Sequence, residues 1–193
     1  VPVTIKIRTG PDPQRRNALR VAQLAERCGV AAIAIHGRTR AERFTGAAEY
    51  ESIRAVKAAV RIPVIANGDI STPQQALAVL NASGADAVMI GRAALGAPWI
   101  FRDVNAFLES KEIVPQLLRT SMATLILRHL ESLYAFYGEY TGVRMARKHL
   151  ARYCEQHVDA GRLRQALLTA ENSAAQFATA QRAFGEWSAA AAA

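Results

Sequence analysis

Pro63-Val64-Ile65-Ala66-Asn67-Gly68-Asp69-Ile70 is the stretch from which the fold is read. A short run rich in β-branched residues stops at Asn-Gly-Asp, and a helix start follows at Ser71-Thr72-Pro73. In an α/β protein this is the carboxyl end of a buried parallel strand, where such folds hold ligands. Gly68 has no Cβ, so the N–H groups around Gly68 and Asp69 can approach a phosphate. An ordinary strand–turn–helix junction has the same appearance. A similar junction downstream, Val88-Met89-Ile90-Gly91-Arg92, weighs against that plain reading.

Working outward, four apolar strand candidates recur every 25–30 residues or so, the spacing of successive βα units. They are Val3–Arg8, Ala32–Gly37, Pro63–Asp69 and Ala87–Arg92. Between them lie helical stripes. Pro13 to Arg27 carries Leu19, Val21, Ala22, Leu24 and Ala25 before Gly29, and Tyr50 to Val60 carries Ile53, Val56 and Val60. Gln74 to Ser83 carries Ala76, Leu77 and Leu80 before Gly84. Strands alternating with helices imply a parallel sheet with right-handed crossovers. An open doubly wound sheet and a closed (β/α)8 barrel both satisfy the pattern, and four units make only half a barrel.

The composition shifts after Trp99-Ile100-Phe101. Lys111 to Leu118 reads as a linker, and no strand candidate follows it. Ser121–Tyr137 is amphipathic through Leu125, Ile126, Leu130 and Leu133, and Gly138 and Gly142 bound a turn. Helical stretches follow at Val143–His157, Leu163–Ala170 and Ala174–Trp187, a small helical bundle. Ala189–Ala193 is low-complexity. The expected division is residues 1–114 for the α/β part and 115–193 for the all-α part.

The chain has 193 residues, 51% of them apolar, enough to bury a core and to form one domain with an appendage. It starts at Val1 and enters a strand at once, which reads as a start inside a longer protein. With no signal peptide and no long apolar run, the expectation is a soluble, cytoplasmic protein without a membrane partner. Two widely separated cysteines, Cys28 and Cys154, exclude a zinc framework and read as small buried hydrophobes. Lys and Arg number 24 against 16 acids, a formal charge of +8 that favours a polyanion, nucleic acid before membrane.

Each strand end carries polar residues that a purely structural strand does not need. Lys6 sits inside the first strand, and burying a Lys is costly unless it faces a ligand or an acid. His36 ends the second strand and is followed by the cationic Gly37-Arg38-Thr39-Arg40. Asn67, Gly68 and Asp69 end the third strand; Gly91 and Arg92 end the fourth. If these are the last four units of a barrel, the final two strand ends form a phosphate site. In the helical part Arg144, Arg147, Lys148 and Arg152 share an arc of roughly 140° on one helix face. Ala146, Leu150, Tyr153 and His157 lie opposite. Such a face suits a phosphate backbone.

Four motifs together resemble the tRNA-dihydrouridine synthases, in order and spacing the bacterial B-type branch. They are Val3-Thr4-Ile5-Lys6-Ile7-Arg8-Thr9-Gly10, Ile35-His36-Gly37-Arg38-Thr39-Arg40, Pro63 to Ile70, and Met89-Ile90-Gly91-Arg92-Ala93. The likeness continues through Pro98-Trp99-Ile100-Phe101 into the helical region. It implies the C-terminal half of an FMN-dependent TIM barrel followed by a helical tRNA-recognition domain. The implied reaction reduces uridine in tRNA to 5,6-dihydrouridine, with NADPH as the electron source and no protein partner. Lys6 and His36 are then the catalytic flavin contacts. A cationic Lys6 would favour negative charge on the reduced flavin, whose hydride goes to uracil C6. Asn67, Gly68, Asp69, Gly91 and Arg92 join them as cofactor contacts around the FMN phosphate. Arg38 and Arg40, with Arg144, Arg147, Lys148 and Arg152, are the expected RNA contacts, and no metal is expected.

The family's catalytic Cys has no counterpart here, because neither Cys28 nor Cys154 stands in a matching context. A half-barrel lacking it is expected to be a fragment of doubtful activity alone, with exposed strand edges. Two competing readings are a non-catalytic RNA-binding fragment and another FMN barrel, such as a dihydroorotate-type dehydrogenase. The basic helical appendage argues against the dehydrogenase.

Overall fold

The computed structural model describes residues 1–156 and 162–185. Its first compact unit comprises Val1–Ala94 with Ile100–Val114, and its second Leu95–Trp99 with Pro115–Ala193.

The first unit alternates β1 (Thr4–Arg8), α1 (Ala18–Arg27), β2 (Ala32–His36), α2 (Glu51–Ala59), β3 (Val64–Asn67), α3 (Pro73–Ser83) and β4 (Ala87–Met89), then α4 (Ile100–Ser110). The strands are parallel and lie in the order β1-β2-β3-β4. A doubly wound sheet requires that order to reverse. Here it does not, so right-handed crossovers put every connecting helix on the same face. That face carries Ile33, Ile35, Val64 and Ala66, which share one buried cluster with Ala22, Val56, Ala76 and Val104 from the helices. Each fully buried Ile or Val there contributes about 1.5–3 kcal/mol relative to exposure.

Register puts the polar residues on the other face. Arg8 pairs with His36, His36 with Asn67 and Asn67 with Met89, so these four form the last rung at the carboxyl edge. Lys6 lies two residues back on the same face and is exposed, not buried as a central-strand Lys would be.

Several boundaries differ from those read in the sequence. α1 starts at Ala18 rather than Pro13, because the Asn17 and Ala18 N–H groups both donate to the Thr9 carbonyl and hold 9–17 as a loop. Its buried stripe is Ala18, Ala22 and Ala25, whereas Leu19 and Leu24 face solvent. β4 ends at Met89, and a 3-10 turn runs from Arg92 to Leu95. α4 is a helix the sequence reading missed, although Ile100, Val104 and Phe107 form its buried i, i+4, i+7 stripe.

In the second unit α5 (Arg119–Gln156) is broken at Gly138, whose φ of 73° and ψ of 174° lie outside helical space. The two arms fold back on each other. His129 Nδ1 lies 3.0 Å from the Tyr153 hydroxyl, whereas a straight helix would separate these residues by about 36 Å. Gly142 was expected to bound the turn, but it lies inside the second arm. A Cβ there would sit 3.0 Å from the Leu133 carbonyl oxygen and the Tyr134 Cα, so its small size serves close packing of the arms.

Helices α6 (Arg164–Thr169) and α7 (Ser173–Gly185) complete the unit. Buried Gln176 ties its parts together: Nε2 donates to the carbonyls of Val143 and Leu167, and Oε1 accepts from the Tyr134 hydroxyl. His157, Trp187 and the alanine run lie outside the described residues. Among the described residues no helix is long and apolar enough to cross a membrane.

Replacing Gln176 by Leu strands three polar groups in this core. It is expected to cost about 2–3 kcal/mol of unfolding free energy, measured by urea titration.

Candidate functional site

The site grows from the two loops that follow β2 and β3. Residues 37–50 after β2 form a long connection held by their own polar groups. The Thr39 amide and hydroxyl both donate to Glu42, and Arg8 donates to the carbonyls of Thr39 and Arg43. At its centre is Arg38, only 2% exposed. Its guanidinium donates to both Asp69 carboxylate oxygens, at 2.9 and 2.7 Å, and to the carbonyls of Thr45 and Gly46. Arg38 was expected to reach a substrate phosphate; here its donors are engaged inside the protein. Arg40 is exposed.

Asp69 and Gly68 both have positive φ, 46° and 131°. Gly68 is required here: a Cβ would lie 2.7 Å from that of Ala48 and 3.2 Å from the His36 ring. The Tyr50 hydroxyl donates to the Gly68 carbonyl and the Ala48 amide donates to Asp69, so the turn is fixed from outside. Burial works to raise the Asp69 pKa. The hydrogen bonds from Arg38 and Ala48 and the charges of Arg38 and Arg92 outweigh it, keeping the carboxyl below its usual range.

His36 is buried on the polar face of the sheet. Arg38 Nη1 lies 3.4 Å from its Nε2, and a guanidinium only donates, so Nε2 is the bare nitrogen and Nδ1 carries the proton. Burial, then Arg8, Lys6 and Arg38, push its pKa down to about 4 against the opposing pull of Asp69. At neutral pH it is an uncharged hydrogen-bond donor. Partial burial, then Arg8, also draws the Lys6 pKa down.

A hollow of 470 Å³ opens at this edge of the sheet. His36, Asn67, Gly68, Asp69, Gly91 and Arg92 all line it, so six of the seven expected cofactor contacts come together; Lys6 does not line it. The Asn67 amide donates to the Met89 carbonyl, joining its two sides. Among the described residues the N–H groups of Gly68, Asp69 and Arg92 meet no acceptor. A Cβ on Gly91 would meet nothing within 4 Å, so no neighbour in this chain demands glycine there. Ser71 and Gln75 line the hollow too; the helix-start pattern Ser71-Thr72-Pro73 marks this segment in the sequence. Nothing in the sequence pointed to Phe44, whose exposed ring has the guanidiniums of both Arg8 and Arg92 over it, at 5.4 and 4.8 Å from its centroid.

The expected RNA contacts of the helical unit are dispersed in their roles. Arg144 and Lys148 are exposed. Arg152 is exposed but pairs with Glu155 at 2.7 Å. Arg147 departs from the expected free cation: it is half-buried and donates to the Ala170 carbonyl at the end of α6. The cysteines lie elsewhere. Cys28 follows α1 at the amino end of the sheet and is exposed, contrary to expectation, whereas Cys154 is buried and its thiol is pushed up to about 11 by that burial. Among the described residues no cluster of His, Cys, Asp or Glu could hold a metal.

Residues 1–187 match the family model of dihydrouridine synthases, and the chain belongs to that family. It is 52% identical over 176 residues to tRNA-dihydrouridine synthase B of Klebsiella pneumoniae, covering 91% of this chain and 55% of the relative. The enzyme of the same name from Vibrio cholerae is 53% identical over 165 residues, covering 86% and 51%. That of Xanthomonas axonopodis pv. citri is 52% identical over 178 residues, covering 92% and 54%. The chain thus spans about half the length of the curated relatives it matches. Among solved structures it is similar to (S)-3-O-geranylgeranylglyceryl phosphate synthase from Thermoplasma acidophilum, at 26% identity, over 49% of this chain and 36% of that one. The TM-score of 0.38 is too low to bear on fold or function.

The depressed His36 pKa makes folding pH-dependent. The unfolded chain takes up a proton near the ordinary value of 6.5, which folded His36 refuses down to about 4. Stability present above pH 6.5 is therefore lost as pH falls through that window. The His36 ring resonances in an NMR titration are expected to move with a midpoint near 4, and the melting temperature to drop between pH 6.5 and 4.

Proposed function

We propose that residues 1–114 are the carboxyl-terminal half of an FMN-binding (β/α)8 barrel. Residues 115–193 are a helical tRNA-recognition domain, and the two belong to a B-type tRNA-dihydrouridine synthase. The enzyme reduces selected uridines of tRNA to 5,6-dihydrouridine, with NADPH as reductant. One observation carries the reading: in a chain of this family, His36, Asn67, Gly68, Asp69, Gly91 and Arg92 meet in one hollow at the carboxyl edge of the sheet. The unreversed strand order supports a barrel, since its uncovered face is the one a barrel turns inward.

The hollow fits the FMN phosphate. Free N–H groups at Gly68, Asp69 and Arg92, the open space over Gly91 and the exposed Arg92 guanidinium are the donors and room an anion needs. The Asp69 carboxylate would repel a phosphate if it were free, but Arg38 occupies it. Bound FMN supplies the hydride that reduces the uracil 5,6 double bond. Neutral His36 offers Nδ1–H as a hydrogen bond without adding charge, and Lys6 contributes a positive charge on the same face. Neither cysteine is placed to protonate the uracil: Cys28 is at the amino end of the sheet, and the thiol of Cys154 is buried in the core of the helical unit. Arg40, Arg144 and Lys148 are the exposed cations assigned to tRNA phosphates, with Arg152 shared between RNA and Glu155.

Titrating FMN into the chain and following flavin fluorescence tests the cofactor site. Gly91→Val and Arg92→Ala are each expected to weaken binding about tenfold with the melting temperature unchanged, a loss of about 1.4 kcal/mol. A yellow protein with a flavin spectrum supports the enzyme. Colourless protein that takes up no FMN and still binds tRNA would favour the non-catalytic RNA-binding reading.

A further inference from the structure

The tip of the α5 hairpin carries large aromatic rings that the protein core does not use. Phe136 is 81% exposed and Tyr140 74%, and Tyr137 is partly exposed between them. Phe136 and Tyr137 stand edge to face at 4.8 Å. Burying such a ring is worth several times what a small side chain gains, so three exposed rings around one turn form an unspent contact surface.

The tip is also held firmly. Glu139 accepts from the Ser173 amide and hydroxyl at 2.6 Å each, tying the turn to the start of α7. Gly142 packs directly on the backbone at Leu133 and Tyr134. Rings on an anchored turn lose little entropy when something stacks on them.

Charge decides what that something is. The Arg144 guanidinium lies over the Tyr140 ring, 5.3 Å from its centroid. Tyr140, Arg144, Arg147 and Lys148 line one hollow of 380 Å³. Aromatic faces beside cations that track a polyanion are the elements of single-stranded nucleic-acid recognition: phosphates to the cations, unpaired bases to the rings. An apolar protein partner would find these cations an obstacle to burial.

We propose that the Gly138 tip is a base-stacking platform, on which Tyr140 and Phe136 take up an unpaired nucleobase of the RNA while Arg144 and Lys148 hold its phosphates. The proposal rests on the tRNA reading above and adds to it a named contact with an unstacked base.

The test measures binding of the whole chain to tRNA over a range of salt concentrations, for the wild type and single variants. Tyr140→Leu keeps an apolar side chain but removes the π face, and is expected to weaken binding roughly five- to hundredfold. The slope of log affinity against log salt should stay unchanged, because no phosphate contact is removed. Tyr140→Phe should bind as the wild type does, and Phe136→Leu should behave like Tyr140→Leu. Lys148→Ala should instead reduce the salt slope by about one. All four should melt at the wild-type temperature; a lower transition for Tyr140→Leu would place the ring in the fold and overturn the platform. Wild-type affinity in Tyr140→Leu, with Lys148→Ala still weakened, would overturn the platform and leave the tRNA reading standing. A wild-type chain without salt-dependent tRNA binding would overturn both. Self-association in sedimentation that disappears in Tyr140→Leu, with RNA affinity unchanged, would mark the tip as a protein contact instead.

Discussion

The Arg38–Asp69 pair is the contact on which the carboxyl edge of the sheet depends. It joins the loop after β2 to the turn after β3 through two hydrogen bonds, with the guanidinium almost wholly out of water. A buried guanidinium is tolerable only when its donors are matched, and here two carbonyls of its own loop complete the set. Asp69 itself sits at a positive φ and lines the hollow beside Gly68. Without Arg38, the Asp69 carboxylate would keep, among the described residues, only the more distant Arg92, at 3.8 Å, as an ion partner.

Burial governs the neighbouring histidine, and the charges of Arg8, Lys6 and Arg38 add to it. Arg38 faces Nε2, and together these influences push the His36 pKa down to about 4. The imidazole therefore enters the site as a donor of fixed orientation rather than as a proton shuttle. Such a group directs hydrogen bonding without adding charge to the hollow. Cationic charge is kept for the exposed Arg92 and Lys6.

The second unit is built on a different economy. Its core is apolar around Ile126, Leu130, Leu150 and Phe184, and a single buried amide, Gln176, links both arms of α5 with α6 and α7. That arrangement spends Arg147 on the end of α6 and leaves Arg144 and Lys148 outward. The basic face read from helical periodicity is thus narrower than winding the sequence at a constant angle suggests.

Much of the protein was legible from the sequence alone. Strand spacing, the Asn67-Gly68-Asp69 and Gly91-Arg92 junctions and the switch to a helical second part are local patterns, and they set the α/β order and the residues of the hollow. Hydrophobic periodicity also marked the arms of α5, since each buries one stripe. What only tertiary structure decided were the pairings. Arg38 and Arg40 look alike in Gly37-Arg38-Thr39-Arg40, yet one is buried against Asp69, 31 residues away, and the other is exposed. Lys6 reads as buried because its neighbours are Ile5 and Ile7, but it lies on the face of the sheet opposite the helices and is exposed. Gly138 and Gly142 read as equal turn residues, but only one breaks the helix while the other admits a neighbouring backbone. A sequence shows which side chains are charged or small; long-range contacts determine which of them are free to act.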